Sequence, residues 1–219
     1  MIDTIFFDFD GVIVESVDIK AEAFAVLFEH EGKDVVKKVV EYHLNNTGIS
    51  RYEKFKYIYK EILNRSLSKD EFQRLCDKFA GLVTEAVVLA PYVKGAKEFI
   101  ENFASKYLFF IVTATPQEEI DVIIQRRGIV RFFRAIYGAP KKKSDAIRDV
   151  LKKEGINPCD AIYIGDAMSD FNAAKDNFVR FIARVNNNES IFADIQCLKV
   201  RDLSDLGTII KQYDHCCIT

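Results

Sequence analysis

Asp8 and Asp10 stand one residue apart at the end of an apolar run that begins at Ile2. Carboxylates at the rim of a core lose hydration and repel each other. A bound cation, or a reaction that needs one acid ionised and the other protonated, accounts for both. An acidic turn built with Gly11 would use the same residues without any chemistry. Three further clusters follow along the chain. Thr113 and Ala114 come after the apolar run 107–112, and Lys141, Lys142 and Lys143 precede a helical pattern that begins at Ser144. Gly165-Asp166 follows the apolar run 161–164, with Asp170 four residues on. Singly, these are a strand-end threonine, a solvated lysine turn and a strand-to-turn glycine. Together and in order, each beside a strand or a helix start, they describe a site for a divalent cation and a phosphoryl group.

Moving a phosphoryl group onto a carboxylate sets definite requirements. The nucleophile must be ionised yet approach a dianion, so a hard cation such as Mg²⁺, which takes oxygen ligands, has to offset the repulsion. Asp8 would ligate that metal and attack in line, while Asp10 would protonate the leaving oxygen and then activate water. Thr113 and the adjacent backbone N–H groups, Ala114 included, would hold the equatorial oxygens at a helix entrance. A lysine would neutralise charge on the transferring group. Asp166 would complete the metal site, and Asp170 would hold the metal's water or the lysine.

These groups must be brought together by a common scaffold. Residues 2–9 read as a buried strand. From 17 to 88 there is no convincing strand, only helical periods such as Ala21, Phe24, Ala25, Leu27 and Phe28, with Ser68 capping a last helix through Glu71. After Pro91, strand and helix alternate: helix 95–103, strand 107–112, and a helix entered through Thr115 as N-cap and Pro116 as first residue. Strand 135–137, helix 144–154, strand 161–164, helix 169–175, strand 179–183, strand 197–200 and helix 205–211 follow. Continuous apolar strands alternating with helices predict a parallel sheet covered on both faces. Such a sheet puts its strand carboxyl ends on one edge, where ligands bind. The expected architecture is an α/β, Rossmann-like three-layer core of residues 1–15 and 89–219, with an all-helical module, residues 16–88, inserted after the first strand.

The bulk properties narrow the classes. With 219 residues, a formal net charge of −2 and scattered basic residues, the chain does not describe a nucleic-acid surface. Its apolar runs are strand-sized, so no membrane span is expected. The N-terminus lacks a basic leader, and Cys216-Cys217-Ile218-Thr219 departs from a prenylation box at its second position. Five cysteines without a C-x-x-C fit reduced thiols in a cytoplasm. A monomer or weak homodimer is expected.

The wording and order of the segments resemble the haloacid dehalogenase-like (HAD) superfamily of aspartyl-nucleophile phosphohydrolases. The first motif is Asp8-Phe9-Asp10-Gly11-Val12-Ile13-Val14-Glu15-Ser16, the second Ile111-Val112-Thr113-Ala114, the third a lysine before a helix, and the fourth Ile164-Gly165-Asp166-Ala167-Met168-Ser169-Asp170. The resemblance implies a Rossmann-like core with a helical cap of the C1 type, Asp8 as nucleophile and Asp10 as acid/base. It implies Mg²⁺ held by the Asp8 carboxylate, the Asp10 main-chain carbonyl and Asp166, with Gly11 and Gly165 as supporting positions. Glu15 stands where many relatives have aspartate. Lys143 fits the form in which lysine directly precedes the helix, and Lys141 the form with lysine two positions earlier.

Gly48-Ile49-Ser50-Arg51 resembles the Gly-x-Ser-Arg segment of β-phosphoglucomutase-like caps, in which the arginine meets an anionic substrate group. Ser50 would cap the following helix, and Arg51 in its first turn opposes the helix dipole, which favours a use for it. Tyr52, Lys54, Lys56 and Tyr57 are nearby candidates whose facing periodicity does not decide. The expected activity is a Mg²⁺-dependent phosphatase of a small phosphorylated metabolite, a sugar phosphate or a phosphorylated acid. A phosphomutase using Arg51 for a second phosphate is one alternative, and a non-catalytic phosphate-responsive module is another. A 2-haloacid dehalogenase is disfavoured, because those enzymes lack an acid at the position of Asp10.

Overall fold

The computed structural model describes residues 1–186 and 189–215. The terminal segment Cys216-Cys217-Ile218-Thr219 lies outside the described residues. Six strands form one parallel sheet: β1 (Thr4–Phe7), β2 (Leu108–Pro116), β3 (Ala135–Ala139), β4 (Ala161–Gly165), β5 (Arg180–Arg184) and β6 (Leu198–Val200), in the order β3-β2-β1-β4-β5-β6. The first strand is therefore central, with Phe7 level with Ile111 on one side and Ile164 on the other. Chain order reverses beside β1, which opens a crevice at the carboxyl ends of β1, β2 and β4.

Strand alternation divides the core in two. Ile5, Phe7, Phe109, Ile111, Ile162 and Ile164 face one side, while Phe6, Phe110, Val112, Tyr163 and Phe181 face the other. The helices α5 (Ala96–Phe103), α6 (Gln117–Arg126) and α9 (Leu206–His215) contribute to the first side through Phe99, Ile120 and Ile210. On the second side lie α7 (Lys143–Glu154) and α8 (Met168–Asp176), through Ile147, Val150 and Ala174. The three-layer α/β arrangement is the one the alternating pattern predicts.

Between β1 and α5 the chain is helical: α1 (Val17–Leu27), α2 (Lys33–Asn45), α3 (Arg51–Tyr57) and α4 (Lys69–Leu89). Their apolar faces meet at Phe24, Phe28, Phe55 and Phe79, with the Phe24 and Phe79 rings 4.6 Å apart. Ser50 and Ser68 cap α3 and α4 by accepting from the amides of Glu53 and Glu71. The apolar cluster continues through Val12, Ile13 and Val14 into the sheet, so this helical module is packed onto the core.

Two local expectations are corrected. Strand β2 runs on through a register shift between Val112 and Pro116, so Thr113 and Ala114 belong to the strand and Pro116 ends it. Thr115 therefore does not cap α6. Its hydroxyl instead donates to Asp10 and accepts from Lys20 Nζ at 2.8 Å, both charge-assisted bonds. Helix α7 also begins one residue early, which makes Lys143 its first residue rather than the residue before it.

Candidate active site

The chain turns sharply after β1. The amides of Ile13 and Val14 return to the Phe9 carbonyl at 2.9 and 3.2 Å, and the Gly11 amide donates to Val14 at 2.8 Å. Gly11 has φ +74°, and a Cβ there would lie 2.2 Å from Asp166 Oδ2, so glycine alone lets this loop meet the end of β4. Arg184, at the end of β5, braces the loop. It pairs with both Glu15 oxygens at 2.6 and 3.1 Å and donates to the Gly11 carbonyl at 3.2 Å.

Asp8 is 3% exposed, and its oxygens accept from the Phe9 amide at 2.7 Å and from Lys143 Nζ at 2.8 Å. Burial pushes its carboxyl up to about 7; Lys143 opposes the rise, and the charges of Asp170 and Asp10 add to it. Asp10 sits in a different environment. Ser16 Oγ donates to it at 2.6 Å, Thr115 Oγ1 at 2.7 Å and Lys20 Nζ at 2.5 Å. Burial alone would raise its carboxyl, but the Lys20 charge and these three donors prevail and hold it down at about 2. The two acids that open the chain's chemistry are thus made unequal by their partners.

Lys143 Nζ also donates to Asp170 Oδ1 at 2.6 Å, and despite its burial the two carboxylates raise its ammonium above the usual lysine range. The same Asp170 oxygen lies 2.9 Å from the Tyr163 hydroxyl, which also faces the Val112 carbonyl at 2.8 Å. Asp170 Oδ2 accepts from the amides of Asp166 and Ala167 at 3.2 and 3.0 Å. Every Asp170 oxygen is thereby occupied, which suits it to holding Lys143 and the β4 loop rather than an ion. Asp166 differs: its Oδ1 is buried with no hydrogen-bond partner, and burial beside Asp8 and Asp170 raises its carboxyl well above the carboxylate range.

Oxygens of Asp8, Asp166 and Asp170 lie within 4.8 Å of one another. A hard, oxygen-loving dication fits this donor set. It would occupy the orphaned Asp166 oxygen and relieve the crowding of negative charge, and Asp8 and Asp166 have the freer oxygens to offer it.

Of the residues singled out in the sequence, Asp8, Asp10, Gly11, Thr113, Ala114, Lys143, Gly165, Asp166 and Asp170 gather at this edge. Thr113 Oγ1 accepts from the Thr115 amide at 3.2 Å and, with Ala114, lines the cavity against Asp8. Lys141 does not join them. Its Nζ pairs with Asp149 at 2.6 Å and stands over the Tyr137 ring, at the rim of an outer cavity of about 310 Å³.

The helical module closes the inner side of the site. The Gly48 carbonyl accepts from Ser169 Oγ at 3.0 Å, and a Cβ on Gly48 would lie 2.0 Å from that oxygen. Arg51 is buried against the same inner cavity as Asp8 and Asp10. Its Nη2 donates to Glu119 Oε1 at 2.6 Å and its guanidinium lies 4.4 Å from the centre of the Phe79 ring. Its partner in this structure is thus a carboxylate of α6. Lys54, one turn after Arg51, also faces inward; its Nζ is 2.8 Å from His43 Nδ1. Burial, then the Lys20 charge, brings the Lys54 ammonium well below its usual range. Burial, then Lys54, lowers His43 to about 2.

Sequence reasoning missed Ser16, Lys20 and Thr115 around Asp10, Tyr163 behind Asp170, Glu119 against Arg51, and His43. Only Lys20 carried a usable signal: a cation near the start of a helix opposes the dipole, as Arg51 does.

The family model described as haloacid dehalogenase-like hydrolase matches residues 5–184. A phosphoglycolate phosphatase of Pseudomonas savastanoi pv. phaseolicola is 23% identical over 227 residues, spanning 92% of this chain and 77% of that protein. The structure of a β-phosphoglucomutase from Clostridium difficile superposes with a TM-score of 0.80 at 22% identity, covering 100% of both chains. That of a predicted phosphoglycolate phosphatase from Haemophilus somnus superposes at 0.77 and 20% identity, covering 95% of this chain and 98% of the other. With more than half of its length matched by that model, and the fold and the strand-edge acids in place, the chain belongs to the haloacid dehalogenase-like hydrolase family.

Proposed function

We propose that the protein is a Mg²⁺-dependent phosphatase of a small phosphorylated metabolite, working through an aspartyl phosphate on Asp8. The observation that carries this reading is the convergence at one sheet edge of Asp8, paired with Lys143, and Asp10, held by three donors. An oxygen of Asp8 attacks phosphorus and the ester P–O bond breaks, the leaving oxygen taking a proton from Asp10. Asp10, now ionised, removes a proton from water as that water attacks phosphorus, which releases phosphate and restores Asp8. Thr113, the Ala114 amide and Lys143 hold the equatorial oxygens through both halves. Asp8, Asp166 and the Asp10 carbonyl would hold Mg²⁺, which would supply charge neutralisation between nucleophile and phosphate.

Asp10 as arranged is ionised, the form that activates water. The first half-reaction needs it protonated, so Lys20 must change partners as substrate enters. The helical module acts as a cap that keeps bulk water from the reacting atoms. The relatives' phosphoglycolate phosphatase name favours a phosphorylated acid, and the small inner cavity, about 30 Å³, favours a small leaving group. A phosphomutase would want Arg51 for a second phosphate, and here Glu119 already neutralises it.

The test is phosphate release from a panel of phosphorylated metabolites with Mg²⁺, run beside Asp8→Asn. Release from at least one compound, lost in the folded variant, supports the reading. Release that survives Asp8→Asn overturns the chemistry, and isomerisation without net release selects the mutase.

A further inference from the structure

Three cations line the inner cavity with Asp8 and Asp10, and the chain itself neutralises two of them. Lys20 is paired with Asp10 and Arg51 with Glu119. Lys54 is the third. It is 2% exposed, and among the described residues no carboxylate lies within 4.0 Å of it. The groups it touches are neutral, His43 Nδ1 at 2.8 Å, the Thr47 carbonyl at 3.5 Å and the Phe24 ring with its centre 5.7 Å away, while the charges of Lys20, Asp10 and Asp166 act on it from farther off. His43 cannot supply a negative charge; its neutral ring can only accept a hydrogen bond from the ammonium and fix its position. A buried ammonium with no counter-ion is costly, and an anion brought to it by a ligand would offset that cost.

The space limits what that anion can be. The unfilled space of the inner cavity is about 30 Å³, and a flat carboxylate beside Lys54 needs less of it than a second phosphoryl group or a sugar ring does. Lys143, paired with Asp8, lines the adjoining outer cavity and serves the phosphate side.

We propose that Lys54, positioned by His43, is the specificity-determining cation of this site, and that it pairs with a carboxylate carried on the carbon next to the phosphate ester. The preferred substrates are then two- or three-carbon phosphorylated hydroxy acids. This rests on the phosphatase reading above, and its test separates the two.

Phosphonoacetate and ethylphosphonate are non-hydrolysable probes of matching size, one ending in a carboxylate and the other in a methyl group. Calorimetric titration of the full chain in Mg²⁺ should show phosphonoacetate binding roughly 10- to 100-fold more tightly, the range of a charge-assisted hydrogen bond. Lys54→Met should bring the two probes to within about threefold of each other, and Lys54→Arg should restore part of the preference. If Lys54→Met does not fold, Lys54→Gln, which can still donate to His43, takes its place. Equal binding by the wild type, or a preference that survives in the folded variant, overturns the proposal. A preference for phosphonoacetate with no phosphate release from any compound removes the phosphatase reading and leaves this one standing. Phosphate release without that preference does the reverse.

Discussion

Acidification from pH 7.5 to 5.0 should cost the protein about 2 kcal/mol of folding stability through His43 alone. The ring is 3% exposed, packs 4.8 Å from the Phe24 ring and meets the Lys54 ammonium at Nδ1. Burial and that neighbour lower its pKa to about 2, against about 6.5 in the unfolded chain. Between those values the unfolded state binds a proton that the folded state refuses, so stability is full above pH 6.5 and falls as the pH drops. It does not matter which nitrogen of the His43–Lys54 pair holds the first proton. The folded pair accepts one, and the unfolded chain at pH 5.0 holds two. For one such group the loss is RT ln(1 + 10^(6.5 − pH)), about 1.4 kcal/mol at pH 5.5 and about 2 kcal/mol at pH 5.0.

Asp8, raised to about 7, titrates in the opposite sense: its folded form gains a proton first, and stability rises as the pH falls. The measurement is therefore a difference. Urea denaturation of wild type and His43→Gln at both pH values, in excess Mg²⁺ so that Asp8 and Asp166 stay ionised, isolates the imidazole. The gap between the two proteins should move by about 2 kcal/mol in favour of the variant on acidification. A gap that moves by less than about 0.5 kcal/mol would mean that His43 titrates normally, and would remove the buried His43–Lys54 contact from the structure's account.

Lys143→Ala leaves Asp8 and Asp170 buried without a counter-ion and should cost about 3–5 kcal/mol in urea denaturation, with loss of activity; Lys141→Ala, at an exposed pair with Asp149, should leave both unchanged. Equal effects would refute the assignment of the site lysine. Gly11→Ala drives a methyl group into Asp166 and should raise the Mg²⁺ concentration for half-maximal activity by roughly 10- to 100-fold, read from a metal titration. Glu119→Ala strands a buried guanidinium under Phe79 and should lower stability by about 3–5 kcal/mol. An unchanged denaturation midpoint would show that the Arg51–Glu119 pair does not form in solution.

Residue pattern alone specifies the layered sheet and the edge at which chemistry collects. Unbroken apolar strands alternating with helices leave a parallel sheet as the economical solution, and parallel strands end on one side however far apart they lie in the chain. Asp8, Asp10, Thr113, Asp166 and Asp170 are legible because each comes after a run of apolar residues that marks a buried strand. Tertiary structure decided what surrounds them. Lys141 and Lys143 differ by two positions, and it is the start of α7 at Lys143 that turns one toward Asp8 and leaves the other beside Asp149. Arg51 and Lys54 share an inward face of α3, yet only the placement of α6 and α2 gives one a glutamate and the other a neutral histidine. Lys20 and Thr115 reach Asp10 from 10 and 105 residues away. Side-chain partners of this kind depend on the rotation of each helix about its axis and on how the helical module sits against the sheet. Local residue pattern does not contain that information; the packing of Phe24, Phe55 and Phe79 against one another does.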